Sequence, residues 1–247
     1  MPSTTSPSPA TRSPADTPAV DTAAGRTLRA LARLLSYPDA EARRQLATMA
    51  AALDAEKALD DTRRTELRAL LDWIANTPPL QVEAAYVELF DGGRATSLHL
   101  FEHVHGDSRA RGPAMIDLAQ SYATAGFHLA PGELPDYLPA VLEFASTRPP
   151  AQARAFLGET AHILNALFAA LQKRRSPYAA ALGALVELAG EKTRAVEIKP
   201  EPPLEASWPE PPVFGACASA GHLPHTPAQA VHFVPFVRQS SPEGVQP

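Results

Sequence analysis

The chain has 247 residues, of which 45% are apolar, and 22 basic against 27 acidic side chains leave a formal net charge of −5. That balance excludes a chain-wide basic surface for nucleic acid, and no apolar run reaches the ~18–20 residues of a membrane span. A lone cysteine, Cys217, excludes an intramolecular disulfide and a Cys-cluster metal site.

Proline divides the chain. Five of the 26 prolines fall in residues 1–19 and eleven in 200–247. Proline removes a backbone donor and disfavours helical geometry in the residue before it. Residues 1–23 and 196–247 are therefore expected to be disordered tails, and 24–195 the folded unit. Between Met1 and Val20 stand Pro, Ser and Thr, where a signal peptide carries an apolar segment, so the cytoplasm is the expected location.

The folded unit reads as helix almost throughout. Leu28, Leu31 and Leu35 open the series, followed by Leu46, Met49 and Leu53. Leu67, Leu70, Leu71 and Ile74 fit i, i+3, i+4, i+7, and Val82, Tyr86, Leu89 and Phe90 share one face. Leu138, Val141, Leu142 and Ala145 form the next stripe. Leu164, Leu167, Phe168 and Leu171 form another, and Tyr178, Leu182, Leu185, Val186 and Ala189 the last. No stretch alternates with β-branched residues as a strand does. Asp136 is placed to cap the helix that follows it, with Pro139 at the third helical position, where no intrahelical partner awaits an N–H. Pro149-Pro150 opens a helix, Ser176-Pro177 reads as N-cap and first turn, and Gly190 stops the last helix. The expectation is a single all-α bundle of about seven helices.

The segment Tyr86–Gly112 departs from this regularity. It carries His99, His103 and His105, Arg94, Arg109 and Arg111, Asp91 and Asp107, framed by Gly92-Gly93 and Gly106. Polar side chains framed by glycines and tied to apolar helices mark a functional surface. His99-Leu100-Phe101-Glu102-His103 matches H-x-x-E-H. On a helix, the two histidines would sit one turn apart around Zn²⁺ with Glu102 as general base, and Glu133, Glu143 or Glu159 could supply a third ligand. The plainer reading is a half-exposed helix that carries two histidines. Gly92-Gly93-Arg94 and His105-Gly106-Asp107 follow no strand and form no Walker motif, so they read as turns rather than phosphate cradles. Tyr86, Phe90, Leu98, Phe101, Tyr122, Phe127 and Tyr137 offer aromatic and apolar area near charges of both signs. A partner helix could lay its apolar face there, although the same rings serve equally as core.

Several stretches together resemble one known family. They are Leu34-Leu35-Ser36-Tyr37-Pro38, Tyr86–Asp91, Ser97-Leu98, His105–Gly112, Tyr122 with Ala125-Gly126-Phe127, and Gly132–Phe144. In this order and spacing they are similar to the respiratory nitrate reductase molybdenum cofactor assembly chaperones, also called nitrate reductase delta subunits. The likeness runs from about residue 25 to about residue 190. It implies an all-α fold of the molybdoenzyme-chaperone type and no enzymatic activity or resident cofactor. The implied partner is the N-terminal segment of the nitrate reductase catalytic (alpha) subunit. That segment would be held in the cytoplasm while the molybdenum cofactor is inserted and docking to the membrane subunit is delayed. Cofactor delivery proteins are possible further partners, and related chaperones serve other molybdenum enzymes or read twin-arginine signals. Where this family has Leu-Pro-Asp-His, the present chain has Leu134-Pro135-Asp136-Tyr137, which keeps a ring and a donor but not the titration near neutrality.

The expected groove is lined by Tyr86, Leu89, Phe90, Leu98 and Tyr122, with Asp91, His105, Asp107 and Asp136 near its rim. Gly106, Arg109 and Tyr137 complete the candidate peptide-binding set. His105 could make binding pH-sensitive or be a satisfied loop histidine. Val231–Val237, apolar in a polar context, could dock back into the groove.

Overall fold

A computed structural model describes residues 24–106 and 108–194. Asp107, Cys217, the Val231–Val237 patch and both expected tails lie outside the described residues. Among those residues there are eleven α-helices, one 3-10 turn and no strand. The helices are α1 (Gly25–Leu35), α2 (Ala40–Arg44), α3 (Leu46–Glu56), α4 (Asp61–Asn76), α5 (Pro79–Phe90) and α6 (Leu100–His105). They continue with α7 (Arg111–Thr124), α8 (Leu138–Ser146), α9 (Pro150–Glu159), α10 (Ala161–Lys173) and α11 (Ala179–Leu188). The all-α expectation is met with more and shorter helices than the apolar period implied.

The central helix is α1. Leu28, Leu31 and Leu35 are almost wholly buried, and the helix packs against α8 on one side and α3 on the other. α10 and α11 pair beside it, and α4 closes on α11. One core cluster runs from Leu28 to Ala189. Each Leu withdrawn from water there contributes about 1.5–3 kcal/mol. A second, smaller cluster of Phe101, Leu118, Tyr122 and Phe144 lies under α7.

The helix ends show how local chemistry fixes the frame. Asp39 and Asp60 cap α2 and α4 through Ala42 N and Arg63 N, each at 2.7 Å. Ala24 has no side chain to cap α1, and a remote group does so instead. The Glu56 carboxylate, at the end of α3, accepts from Arg26 N at 2.8 Å and Thr27 N at 2.7 Å. At the end of the last described helix Gly190 (φ +83°) closes α11 as expected. Its N–H donates to Glu187 O, and Glu191 N donates to Val186 O, the paired bonds of a Schellman turn.

Three expected helix starts are corrected. α8 begins at Leu138 with Tyr137 in the cap position, so Pro139 is the second helical residue, and the Asp136 carboxylate serves a different helix. Ser176 does not cap α11 but accepts from Tyr178 N at 3.3 Å in the turn before it. His99 stands in extended geometry before α6, so the helical spacing required for the zinc reading is absent.

Candidate functional site: an acidic aromatic cleft

The site grows from one short pairing. His99 and Tyr137 form an isolated antiparallel bridge, with Leu100 N donating to Asp136 O at 3.0 Å and Leu138 N to Leu98 O at 2.8 Å. Two loops far apart in sequence are thereby joined edge to edge. Asp136, fully buried, then completes the junction. Its carboxylate accepts from Phe101 N at 3.1 Å and so caps α6, while His99 Nδ1 lies at 3.4 Å and the Arg111 guanidinium at 3.7 Å. Buried carboxylates persist where such donors and charges surround them. From below, the Tyr122 hydroxyl donates to Pro135 O at 2.9 Å. The Leu134–Tyr137 turn is thus held from three directions.

The cleft forms between this turn, α5 and the end of α1. It encloses about 470 Å³. Tyr86, Phe90 and Leu98 make its floor, and Tyr137, Tyr37 and Leu134 its walls. Asp91, Glu133 and His99 face it, and Gly132 completes the rim. No Lys or Arg is among the lining residues. The floor is fixed. Tyr86 donates to Leu35 O at 2.8 Å, its hydroxyl lies 3.2 Å from that of Tyr137, and its ring meets Tyr37 edge-on at 5.7 Å. Tyr37 in turn donates to Glu83 at 2.9 Å, which ties the wall to α5.

The electrostatics favour holding over proton transfer. Burial pushes the Tyr86 and Tyr137 phenols above the ordinary value, and the bond to Glu83 does the same for Tyr37. All three remain protonated donors near neutrality. The hydrogen bond to Asp136 raises His99 despite its partial burial. Burial lowers His103, whose Nε2 lies 2.8 Å from Ser97 O. Each ring of the H-x-x-E-H motif is therefore engaged with its own protein partner. Among the described residues no group of three or more His, Cys, Asp or Glu is arranged to hold a metal.

The structure brings together Tyr86, Phe90, Asp91, Leu98 and Tyr137 of the expected set. The other described members lie elsewhere, and Asp107 is outside the described residues. Leu89 packs half-buried against the main core. Tyr122 is 1% exposed inside the second cluster, and Asp136 lies beneath the turn rather than on the rim. His105 ends α6 with its ring edge-on to Phe101 at 5.4 Å, Gly106 (φ +52°) stops that helix, and Arg109 is exposed in the turn beyond. Tyr37, His99, Glu133 and Leu134 line the cleft without having been expected there. Tyr37 and Leu134 did stand inside the stretches that carried the family likeness. Their exposure as large apolar side chains is the signal that marks them.

The fold is all-α, with a cleft lined by aromatic rings, an exposed Leu134 and two carboxylates. Residues 56–184 match the family described as nitrate reductase delta subunit. The chain is 45% identical over 159 residues to the nitrate reductase molybdenum cofactor assembly chaperone NarJ of Escherichia coli K12, covering 64% of this chain and 67% of that protein. It is 32% identical over 160 residues to the probable nitrate reductase molybdenum cofactor assembly chaperone NarJ of Bacillus subtilis, covering 65% and 86%. The nitrate reductase-like protein NarX of Mycobacterium tuberculosis H37Rv is 36% identical over 153 residues, which span 62% of this chain but 22% of that protein. The chain belongs to the nitrate reductase delta subunit family, and the relatives it matches include nitrate reductase molybdenum cofactor assembly chaperones. No helix among the described residues is long and apolar enough to cross a membrane.

Proposed function

We propose that this protein is a cytoplasmic chaperone that holds the N-terminal segment of the nitrate reductase catalytic subunit in the acidic aromatic cleft. It keeps that segment there while the molybdenum cofactor is inserted, before the subunit docks at the membrane. The observation that carries the reading is the composition of the cleft. Fixed aromatic rings, an exposed Leu134, and Asp91 and Glu133 with no Lys or Arg in the lining suit an amphipathic segment with both apolar and cationic side chains. The likeness to nitrate reductase assembly chaperones supports the choice of client. Two or three apolar anchors contribute a gross ~1.5–3 kcal/mol each, and ordering the segment offsets part of this. Micromolar binding needs about 8 kcal/mol, so the acidic rim must add to it, and affinity should weaken with salt.

Isothermal titration of the full chain with a peptide covering the client's N-terminal segment tests the reading. Saturable one-to-one binding is expected, lost when the peptide's apolar face is made polar. Leu134→Asp should weaken it by about tenfold or more, the equivalent of about 1.4 kcal/mol. Wild-type affinity in both Leu134→Asp and Tyr37→Ala would move the site away from this cleft. No binding at tens of micromolar would mean that the client is another enzyme or that recognition needs the full subunit.

A further inference from the structure

A second cleft, of about 350 Å³, lies on another part of the bundle, where the start of α1, the α8–α9 turn and the end of α11 meet. Its floor is apolar, built from Leu28, Ala145, Ala153 and Leu157. Its polar lining is dominated by arginine: Arg26 and Arg29, one turn apart on α1, Arg148 in the turn, and Arg154 on α9. Two carboxylates also line it, and both are engaged. Glu56 accepts from Arg26 N and Thr27 N, and Glu187 accepts from Asp60 N at 2.8 Å and lies 3.7 Å from Arg63. Among the described residues none of the four arginines forms an ion pair. One of the guanidiniums is nevertheless held in place. Arg148 stacks on Phe144 at 4.8 Å and donates to Thr147 Oγ1 at 2.9 Å. Arg154 lies so close to Gly190 that a Cβ there would come within 2.4 Å of it.

Four arginines that outnumber the two engaged carboxylates, gathered over an apolar floor in a chain of net charge −5, form a net positive site. The first N–H groups of α1 already belong to Glu56, so the arginines carry the site, not the helix end. Guanidinium forks match phosphate oxygens in pairs. A volume near 350 Å³ falls in the small-molecule range and is small for a peptide helix. We propose that this cleft binds a small phosphorylated molecule, with the arginines taking a phosphate or diphosphate and the floor taking an apolar body. The proposal does not depend on the client reading of the first cleft.

Titration calorimetry of the full chain with inorganic diphosphate and with phenyl phosphate, against inorganic phosphate as the reference, tests it. Saturable binding of both is expected, with phenyl phosphate tighter than inorganic phosphate because of the floor. Arg29→Glu with Arg154→Glu should weaken both by about tenfold or more, and the milder Arg29→Gln with Arg154→Gln should act in the same direction if the reversal disturbs folding. Arg174→Glu, an exposed reversal at the end of α10, should leave the affinities unchanged. No heat up to about 10 mM ligand, equal weakening by Arg174→Glu, or binding of a polyglutamate peptide without binding of either phosphate would each overturn the proposal.

Discussion

The two clefts of this bundle are opposite in charge and in construction. The acidic cleft is made by loops. A single antiparallel bridge and one buried carboxylate join Leu98–Leu100 to Asp136–Leu138, and aromatic rings pack against that seam. The basic cleft is made by helix ends, with its arginines projecting from α1, from α9 and from the turn between α8 and α9. A loop-built site depends on a few non-local hydrogen bonds, so one substitution can dismantle it. A helix-built site is redundant in its backbone and depends on charge, so it should fail gradually. The two should therefore be separable by mutation, although α1 touches both: its first turns line the basic cleft, and Leu35 O at its last residue accepts from the Tyr86 hydroxyl of the acidic one.

The largest effect should come from Asp136→Ala. It leaves Phe101 N, His99 and Arg111 without their acceptor in a buried setting, and breaking such a group costs about 3 kcal/mol or more. Urea unfolding should show that loss, and client affinity should fall with it while phenyl phosphate binding persists in the folded fraction. Asp136→Asn, which keeps an acceptor for Phe101 N, should lose less. If both ligands are lost in equal proportion, the clefts are one cooperative unit. Gly190→Ala is the converse probe. At φ +83° a Cβ is strained by about 1 kcal/mol, and it would displace the Arg154 guanidinium. Calorimetry should then show weaker phosphate binding and unchanged client binding. Raising salt from about 50 to about 500 mM should be a smaller and graded test. It should weaken the phosphate more than the client peptide, because the client also gains from apolar burial, which salt does not screen.

Helical identity was legible because a buried stripe leaves a 3.6-residue period whatever its neighbours are. The number of helices was not. Breaks at Gln45 and Thr160 leave the apolar rhythm intact, and at Thr160 a buried hydroxyl donates back to Leu157 O at 3.0 Å in the turn between α9 and α10. The acidic cleft was half legible. Tyr86, Phe90 and Asp91 share one stretch, and Tyr137 stands in the loop motif. Asp136 misled for a specific reason: the local capping rule assigns a carboxylate to the helix just after it, whereas its true partner, Phe101 N, lies 35 residues earlier. The basic cleft was not legible at all. Arg26, Arg29, Arg148 and Arg154 each read as one more charge on a solvated face until the fold gathers them.

The smallest effect to be sought is in pH, and it separates two histidines that the sequence presents as a pair. His99 is raised by its bond to Asp136, so its folded pKa lies above the unfolded value of about 6.5. Its stabilisation is full below that value and is lost as pH rises through the folded pKa. His103 is lowered by burial, so its contribution is full above about 6.5 and is lost as pH falls through its own folded pKa. Acidification from pH 7.5 to 5.5 therefore strengthens one and weakens the other. His99→Asn should make thermal stability fall more steeply over that range than in the wild type, and His103→Asn less steeply. The differences should be only about 1–2 °C in Tm, because the His99 side chain is 32% exposed and solvent screens its pairing. His99 faces the acidic cleft, and no histidine lines the basic one. The same two variants should therefore leave phosphate affinity where it was. A parallel change in that affinity would show that the seam at Asp136 reaches across α1, and the two clefts would have to be treated as coupled.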